Sequence, residues 1–331
     1  MADRPIFICG APRSGTTLLM RIIGCSRNIA FSKYETWFFS NIYNRMVLLR
    51  NLQKDTRFEM LISSMSRISH GFYKQFIKSR ATFAKLKDSD QKAETLFDIL
   101  QTEVASRQNR KRWGDKSPGN EYHAEVILKA YPSAKLVYII RDFRDVSSSR
   151  KYKPSIKGQN VLVRDSIRGA MMWKKSVQQH FYNISVLPHK QYYTIKFEDI
   201  IRKPERAFEQ LGDFIEDSIT DCLYQSGEQW RFQPLNLNNP NLVPIAKSNT
   251  SYQDEEIGNI LSKSAIGNYK TKLNRLELML ITLLCKYEAK LTGYIGDRSD
   301  LTGSMSLLKF FTGKSKHWEG QPYARLDPEA K

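Results

Sequence analysis

Hydrophobic and polar positions along this chain fall into patterns that predict an α/β protein. Short apolar runs at residues 6–9 and 135–140 are typical of strands buried in a parallel sheet, and residues 192–197 also indicate a strand. Longer segments with apolar positions three or four residues apart indicate helices. We expect such helices at residues 121–130, from residue 145 onward, and at residues 165–186, 204–215 and 270–291.

Three segments depart from this alternation. Residues 37–110 contain helical apolar spacing and many basic residues but no strand pattern, so we expect a helical insertion that covers the sheet. Residues 231–258 are rich in Asn, Pro and Ser and predict a loop. Residues 297–331 are polar and interrupted by glycine. We therefore expect one domain over residues 1–296, followed by a C-terminal extension.

The first strand leads into a glycine loop and then into a helix. Gly10 ends the apolar run, and Thr16 and Thr17 precede the apolar positions of the helix, which suits a capped helix start. In this arrangement several backbone N–H groups point at one spot, and the helix dipole adds about half a positive charge there. Such a spot binds phosphate or sulfate. The alternative is an ordinary strand–turn–helix connection with incidental glycines.

The loop differs from that of nucleotide triphosphatases, which follow G-x-x-x-x-G-K-[ST] with the lysine on the β- and γ-phosphates. Gly10 and Gly15 keep the glycine spacing, but Thr16 stands at the lysine position. The cation is Arg13, inside the loop, and arginine offers a planar fork of donors to phosphate or sulfate oxygens. The missing lysine argues against ATP hydrolysis and against a triphosphate kinase.

The sequence Pro-Arg-Ser-Gly-Thr-Thr at residues 12–17 resembles the 5′-phosphosulfate loop of the sulfotransferase family. Members use 3′-phosphoadenosine 5′-phosphosulfate (PAPS). The resemblance implies a P-loop-like three-layer α/β fold with a central parallel sheet, helices on both faces and a helical insertion. It also implies that the loop holds the 5′-phosphate and stabilises the sulfuryl group, through Arg13, Ser14, Gly15, Thr16 and Thr17.

A second motif follows the strand at residues 134–140. Arg141 comes directly after this strand and Ser149 comes eight residues later. In open α/β sheets, ligands bind beyond the carboxyl ends of the strands. The same spacing of arginine and serine marks the 3′-phosphate site of the sulfotransferase family, so the resemblance assigns both residues to that site. The alternative is an arginine that caps the strand and pairs with Asp145.

Besides Arg13 of the loop, two further residues are candidates for catalysis. Glu35 resembles the glutamate that several family branches place shortly after the first helix as general base, the alternative being an exposed glutamate paired with Lys33. Lys116, in Trp-Gly-Asp-Lys-Ser-Pro, resembles a lysine that lies near the donor in bacterial and Golgi relatives. It would stabilise the leaving phosphate oxygen or the sulfuryl group. Its alternative is a turn lysine paired with Asp115.

Two later segments complete the resemblance. Phe197 matches an aromatic residue that packs near the adenine, although a buried core phenylalanine is the alternative. Residues 264–270 resemble a segment that closes over the nucleotide. Relatives commonly carry Lys or Arg where this chain has Asn268, so Lys270 is the candidate substitute, or no cation is needed.

Composition limits the remaining classes. The 331 residues carry a net charge of +18, which is typical of proteins that bind polyanions, but we recognise no nucleic-acid module and expect a small anionic nucleotide instead. The four cysteines and five histidines are dispersed, so no metal site is predicted. No apolar segment approaches the roughly 20 residues that span a bilayer. We expect a cytoplasmic protein, or a Golgi luminal one if an N-terminal anchor has been removed.

The sequence therefore predicts a PAPS-dependent sulfotransferase that transfers a sulfuryl group to a hydroxyl of a carbohydrate, lipid or peptide, with Glu35 as general base. Two other classes stay open at this point. One is a nucleotide or small-molecule kinase of the P-loop type, and the other is a non-catalytic polyanion-binding protein. The sequence leaves the acceptor and the oligomeric state open.

Overall fold

The computed structural model describes residues 4–32, 34–67, 72–152, 163–227, 229–232 and 261–296. Contacts divide the chain into two compact units, Met1–Glu288 and Ala289–Lys331. The described part of the second unit contains a helix end and a turn, in which the backbone N of Tyr294 donates to the O of Ala289 at 2.8 Å. The expected extension at residues 297–331 and most of the expected loop at 231–258 lie outside the described residues, so the domain division stays a prediction.

The first unit is organised around a parallel sheet of five strands in the order β2-β3-β1-β4-β5. The neighbouring strands pair in parallel throughout. Their bounds are β1 (Ile6–Cys9), β2 (Ile29–Phe31), β3 (Arg112–Lys116), β4 (Lys135–Ile140) and β5 (Tyr192–Lys196). A separate antiparallel hairpin pairs β6 (Leu223–Ser226) with β7 (Gln229–Phe232).

Helices connect the strands. In chain order they are α1 (Thr16–Ile23), α2 (Asn44–Leu48), α3 (Lys54–Arg67), α4 (Phe72–Ile77), α5 (Arg80–Asp88), α6 (Ala93–Arg107), α7 (Ala124–Ala130), α8 (Phe143–Lys151), α9 (Val163–Val186), α10 (Phe197–Arg202), α11 (Pro204–Ile215), α12 (Tyr269–Lys272) and α13 (Arg275–Leu291). A π-helix, Phe38–Tyr43, precedes α2, and a 3₁₀ helix, Asn120–His123, precedes α7.

The core lies on both faces of the sheet because side chains of a strand alternate between its faces. Ile6 and Ile8 of β1 belong to an apolar cluster with buried residues of α1 and α11. Phe7 points to the other face, where its ring packs edge-on against Trp113 and Phe39, with centroids 5.6 and 5.8 Å away. The predicted three-layer α/β fold with helices on both faces is therefore confirmed.

Most elements match the expectation, since the runs at residues 6–9 and 135–140 are strands and residues 204–215 form a helix. The described part of residues 37–110 is helical, as predicted. The single helix expected at residues 270–291 is wrong: α12 and α13 are separated at Asn274. The Oδ1 of Asn274 accepts from the backbone N of Glu277 at 2.9 Å, and a Glu277 oxygen accepts from the N of Asn274 at 3.1 Å. This reciprocal cap starts a new helix.

Candidate functional site

The loop between β1 and α1 has a backbone that requires its glycines. Gly10 and Gly15 have φ angles of 139° and 100°, and Arg13 has a φ of 79°. A Cβ on Gly10 would lie 2.5 Å from the O of Ile139, and one on Gly15 would lie 2.6 Å from the Phe197 ring. Side chains larger than hydrogen are therefore excluded at both positions, and the loop is held close to the ends of β4 and β5.

The start of α1 differs from the expectation of a threonine cap. Helix α1 begins at Thr16, and the capping position is Gly15, which provides no side-chain hydrogen bond. The first N–H groups of a helix lack partners within the helix. Thr16 and Thr17 are partly exposed at this end. The helix start therefore presents backbone donors, two hydroxyls and the positive end of the dipole to a ligand.

The two predicted anion motifs meet in space. The Nε of Arg13 donates a hydrogen bond to the Oγ of Ser149 at 3.0 Å, from the loop to α8. A guanidinium N–H of Arg141, directly after β4, donates to the backbone O of Arg13 at 3.2 Å. The alternative pairing of Arg141 with Asp145 is not what the described contacts show, because the Asp145 carboxylate accepts from the backbone N–H groups of residues 267 and 269.

Phe197 lies beside the same loop. Its ring is 4.2 Å from the guanidinium carbon of Arg141, and its side chain is buried against Gly15. A second N–H of Arg141 donates to the backbone O of Ala265 at 2.5 Å. Together with Asp145, Arg141 thus holds the segment before α12 against the two anion motifs.

Lys270, another predicted site residue, takes no part in these contacts. It lies on α12 and is exposed. The neighbouring Tyr269 packs its ring 4.5 Å from the guanidinium carbon of Arg144, whose Nε in turn donates to Asp142 at 2.9 Å. Lys270 therefore makes no described contact with the loop after β1 or with Arg141 and Ser149.

Glu35 and Lys116 form an ion pair. The Nζ of Lys116 is 2.5 Å from the Oε1 of Glu35, with side-chain exposures of 10% and 36%. Lys116 ends β3 and pairs in register with Ile8, two residues before Gly10. The partner of Lys116 is thus Glu35 rather than Asp115, while Lys33, the other partner considered for Glu35, lies outside the described residues. A carboxylate and an ammonium group from distant segments thus meet at the end of β3, next to β1.

Sequence reasoning missed β2, β3 and two buried carboxylates behind the site. Asp115 is 2% exposed and Glu121 is 1% exposed, and burial raises the pKa of both groups. Glu121 accepts a long hydrogen bond from the N of Gly10 at 3.4 Å and a second from the Oγ of Ser176 at 2.7 Å. The signal available in the sequence was the position of both acids within a few residues of Lys116.

Two kinds of feature are absent from the described residues. Within those ranges, no three His, Cys, Asp or Glu side chains are grouped in a way that could hold a metal ion. No helix in the same part of the chain is long and apolar enough to cross a membrane.

Comparison with known proteins identifies the family. A model of the sulfotransferase family matches residues 5–221, well over half of the chain, and the chain therefore belongs to this family. A putative protein-tyrosine sulfotransferase of Caenorhabditis briggsae is 22% identical over 217 residues, which are 65% of this chain and 66% of that protein. An uncharacterized protein of Aquifex aeolicus is 24% identical over 226 residues, which are 65% of this chain and only 26% of that protein.

Two solved structures share the fold. The sulfotransferase domain of the Synechococcus PCC 7002 olefin synthase superposes with a TM-score of 0.53 at 16% identity, over 89% of this chain and 97% of that domain. The sulfotransferase domain from the curacin biosynthetic pathway superposes with a TM-score of 0.50 at 20% identity, over 86% and 98%. These superpositions show that the chain shares the fold of both domains.

Proposed function

We propose that this protein is a sulfotransferase that moves a sulfuryl group from PAPS to a hydroxyl acceptor. The observation that carries the proposal is the hydrogen bond between Arg13 and Ser149, with Arg141 bonded to the backbone of the same loop. These contacts bring an anion-binding loop and a second basic motif to one place in a member of the sulfotransferase family. A nucleotide with phosphates at its 5′ and 3′ positions suits such a pair of motifs.

Buried polar atoms at this place fit an anionic ligand. The Oγ atoms of Ser14 and Ser148 and the Nε of Arg141 are buried without hydrogen-bond partners. Buried donors without partners are costly, and a phosphate or sulfate oxygen accepts from all three types. We assign the 5′-phosphosulfate to the loop and the 3′-phosphate to the second motif. The residues are Arg13, Ser14, Gly15, Thr16 and Thr17 for the former, and Arg141 and Ser149 for the latter, with Phe197 beside the adenine and Lys270 at the outer edge.

Glu35 and Lys116 provide the chemistry of the acceptor side. When bound, PAPS supplies the activated sulfuryl group, and its transfer leaves 3′,5′-ADP. Glu35 accepts the proton of the acceptor hydroxyl as the acceptor oxygen bonds to sulfur and the bond from sulfur to the phosphate oxygen breaks. Lys116 and Arg13 offset the negative charge that develops on the transferred group and on the leaving oxygen. With 36% of its side chain exposed, Glu35 is accessible to an acceptor.

The acceptor hydroxyl belongs to the part of the site that Glu35 faces. We propose an alcohol on a carbohydrate, lipid or peptide, because the resemblance of Glu35 is to family branches with a glutamate base. The helical insertion is the part of the fold that we propose to shape the acceptor pocket. The compartment of the protein, the cytoplasm or the Golgi lumen, stays a prediction from the sequence.

A thermal-shift comparison tests the proposal against the other two classes. The protein is heated with 3′,5′-ADP, with ATP and Mg²⁺, and with a heparin-like polyanion in parallel. A ligand at a hundredfold excess over its Kd stabilises the folded state by about 2.7 kcal/mol, so a binding nucleotide gives a clear rise in Tm. A selective response to 3′,5′-ADP supports the proposal. A response to ATP and Mg²⁺ alone contradicts it in favour of a kinase, and a response to the polyanion alone favours the binding protein.

A further inference from the structure

A buried polar network lies directly behind the ion pair of Glu35 and Lys116. The Oγ1 of Thr36 donates to the Oδ1 of Asp115 at 2.8 Å. The Oγ of Ser117 accepts from the backbone N of Thr36 at 2.9 Å. Thr36 is 0% exposed and Asp115 is 2% exposed. Thr36 follows Glu35, and Asp115 and Ser117 flank Lys116, so each member of the ion pair is adjacent to the network.

The network is anchored to both the sheet and the helical insertion. Asn120 donates through its Nδ2 to the Oδ2 of Asp115 at 3.0 Å and to the O of Ile8 in β1 at 3.3 Å. From α4, the hydroxyl of Tyr73 donates to the backbone O of Thr36 at 2.7 Å. Thr36 therefore has three hydrogen-bonded attachments, through its side chain, its N–H and its carbonyl.

Such a network is an expensive way to fill a core. Burial raises the pKa of the Asp115 carboxyl, while the hydrogen bonds from Asn120, Thr36 and Ser117 lower it. Apolar side chains of similar volume commonly fill a buried site at equal or better stability than a buried charge. What a satisfied polar network adds is a defined geometry. At this position, the geometry that it defines is the placement of residues 35 and 116.

We propose that Thr36, together with Asp115 and Ser117, is a positioning residue that sets the distance between Glu35 and Lys116. The two members of the ion pair come from segments 81 residues apart. The hydrogen bonds of Thr36 to residues 115 and 117 fix its backbone against the residues on both sides of Lys116. Glu35, one residue away, is thereby held beside the Nζ of Lys116. The inference rests on the proposed function, since it concerns the placement of the proposed base.

Three substitutions separate positioning from simple stability. Thr36→Val keeps the shape of the side chain and removes the hydroxyl that donates to Asp115. Thr36→Ser keeps that hydroxyl and is the rescue variant. Thr82→Val is the matched control, because Thr82 is also buried and its Oγ1 donates to the Oγ of Ser79 at 3.1 Å, in α5 of the insertion.

Zero-length cross-linking reports whether Glu35 and Lys116 are in contact, and it does not depend on catalytic activity. A carbodiimide joins a carboxylate to an amine in direct contact, and mass spectrometry of the digested protein quantifies the amide between Glu35 and Lys116. We expect Thr36→Val to lower this cross-link by about tenfold, and Thr36→Ser and Thr82→Val to leave it within about twofold of the wild type. An undiminished cross-link in Thr36→Val overturns the inference. If Thr36→Val fails to fold, Asp115→Asn serves as the second variant under the same criteria.

Enzyme kinetics provide a second measurement, in which a purely structural role of Thr36 would not give the pattern expected here. With an acceptor found by screening labelled PAPS, Thr36→Val lowers kcat by about 10- to 100-fold while the acceptor KM and the Kd for 3′,5′-ADP stay within about twofold. In a Glu35→Gln background the same substitution lowers kcat no further, because the residue acts through Glu35. An equal loss in both backgrounds, or a parallel loss of 3′,5′-ADP affinity, overturns the inference. A wild-type protein that binds no 3′,5′-ADP contradicts the proposed function instead, and the cross-link still decides the inference.

Discussion

The Nε of Arg13 donates a hydrogen bond to the Oγ of Ser149 at 3.0 Å, although 136 residues separate them in the chain. The bond joins the loop after β1 to α8, which follows β4. Since β1 and β4 are neighbours in the sheet, the loops at their carboxyl ends meet at one edge. Under the proposed function, two motifs that each suit one anionic group together hold a ligand with two.

Ser149→Ala removes the partner of Arg13 on α8. We expect the affinity for 3′,5′-ADP to fall by about tenfold, because a hydrogen bond to a charged group contributes about 1.5–3 kcal/mol. Isothermal titration calorimetry measures the change. Ser185→Ala is the control, since Ser185 is an exposed serine of α9 that bonds to the backbone of its own helix. Equal affinities of Ser149→Ala and Ser185→Ala for 3′,5′-ADP would show that Ser149 is not part of the nucleotide site.

Glu35→Gln keeps the size of the side chain and removes its basicity. We expect kcat to fall by about 10²–10⁴-fold while the affinity for 3′,5′-ADP is retained, as for the loss of a general base. The assay is transfer from labelled PAPS to the best acceptor in a screen. Glu205→Gln, an exposed glutamate in the first turn of α11, provides the control. Near-normal turnover of Glu35→Gln would exclude Glu35 as the base.

Gly15→Ala tests the loop geometry. The added methyl group would lie 2.6 Å from the Phe197 ring at a φ of 100°, so the loop has to move and the affinity for 3′,5′-ADP should fall by at least about tenfold. Gly227→Ala is the matched control, because Gly227 also has a positive φ of 61° but no atom within 4 Å of the added Cβ. If Gly15→Ala binds the nucleotide as well as Gly227→Ala does, the loop is not the binding element.

The pH dependence of stability has a specific source in His180. Burial lowers the pKa of His180 to about 4, with its ring stacked at 4.1 Å on Tyr138 and its Nδ1 3.1 Å from the Tyr192 hydroxyl. In the unfolded chain the imidazole of His180 binds a proton near pH 6.5, whereas in the folded protein it stays neutral down to about pH 4. The contribution of His180 to the unfolding free energy is therefore complete above pH 6.5 and is lost as the pH falls toward 4.

We expect His180 to account for a loss of about 1 kcal/mol in unfolding free energy between about pH 7.5 and about pH 5.5. Urea unfolding at both pH values measures the loss in the wild type and in His180→Phe. The difference between the two pH values should be smaller in His180→Phe by that amount. An unchanged difference would show that His180 does not titrate as its burial implies.

Local sequence signals predicted the loop, the second motif and the central strands, because their residues are close together in the chain. Strand β3 escaped detection since Trp113 is its only large apolar residue among charged ones and a glycine. Its burial depends on a distant contact: a Cβ on Gly114 would lie 2.2 Å from the Phe31 ring of β2. The hydrogen bond from Thr36 to Asp115 joins residues 79 positions apart, so no local sequence pattern predicts it. Residues 264–270 resemble a family segment, but the exposure of Lys270 depends on how α12 packs in the folded chain.

Calorimetry with 3′,5′-ADP and with 5′-AMP, on the wild type and on Arg141→Met, tests the two-phosphate site most directly. We predict that the wild type prefers 3′,5′-ADP over 5′-AMP by at least about tenfold and that Arg141→Met loses this preference while still binding 5′-AMP. Equal affinity of the wild type for the two nucleotides, or a preference that survives in Arg141→Met, would contradict the assignment of Arg141 to a 3′-phosphate and with it the case for PAPS.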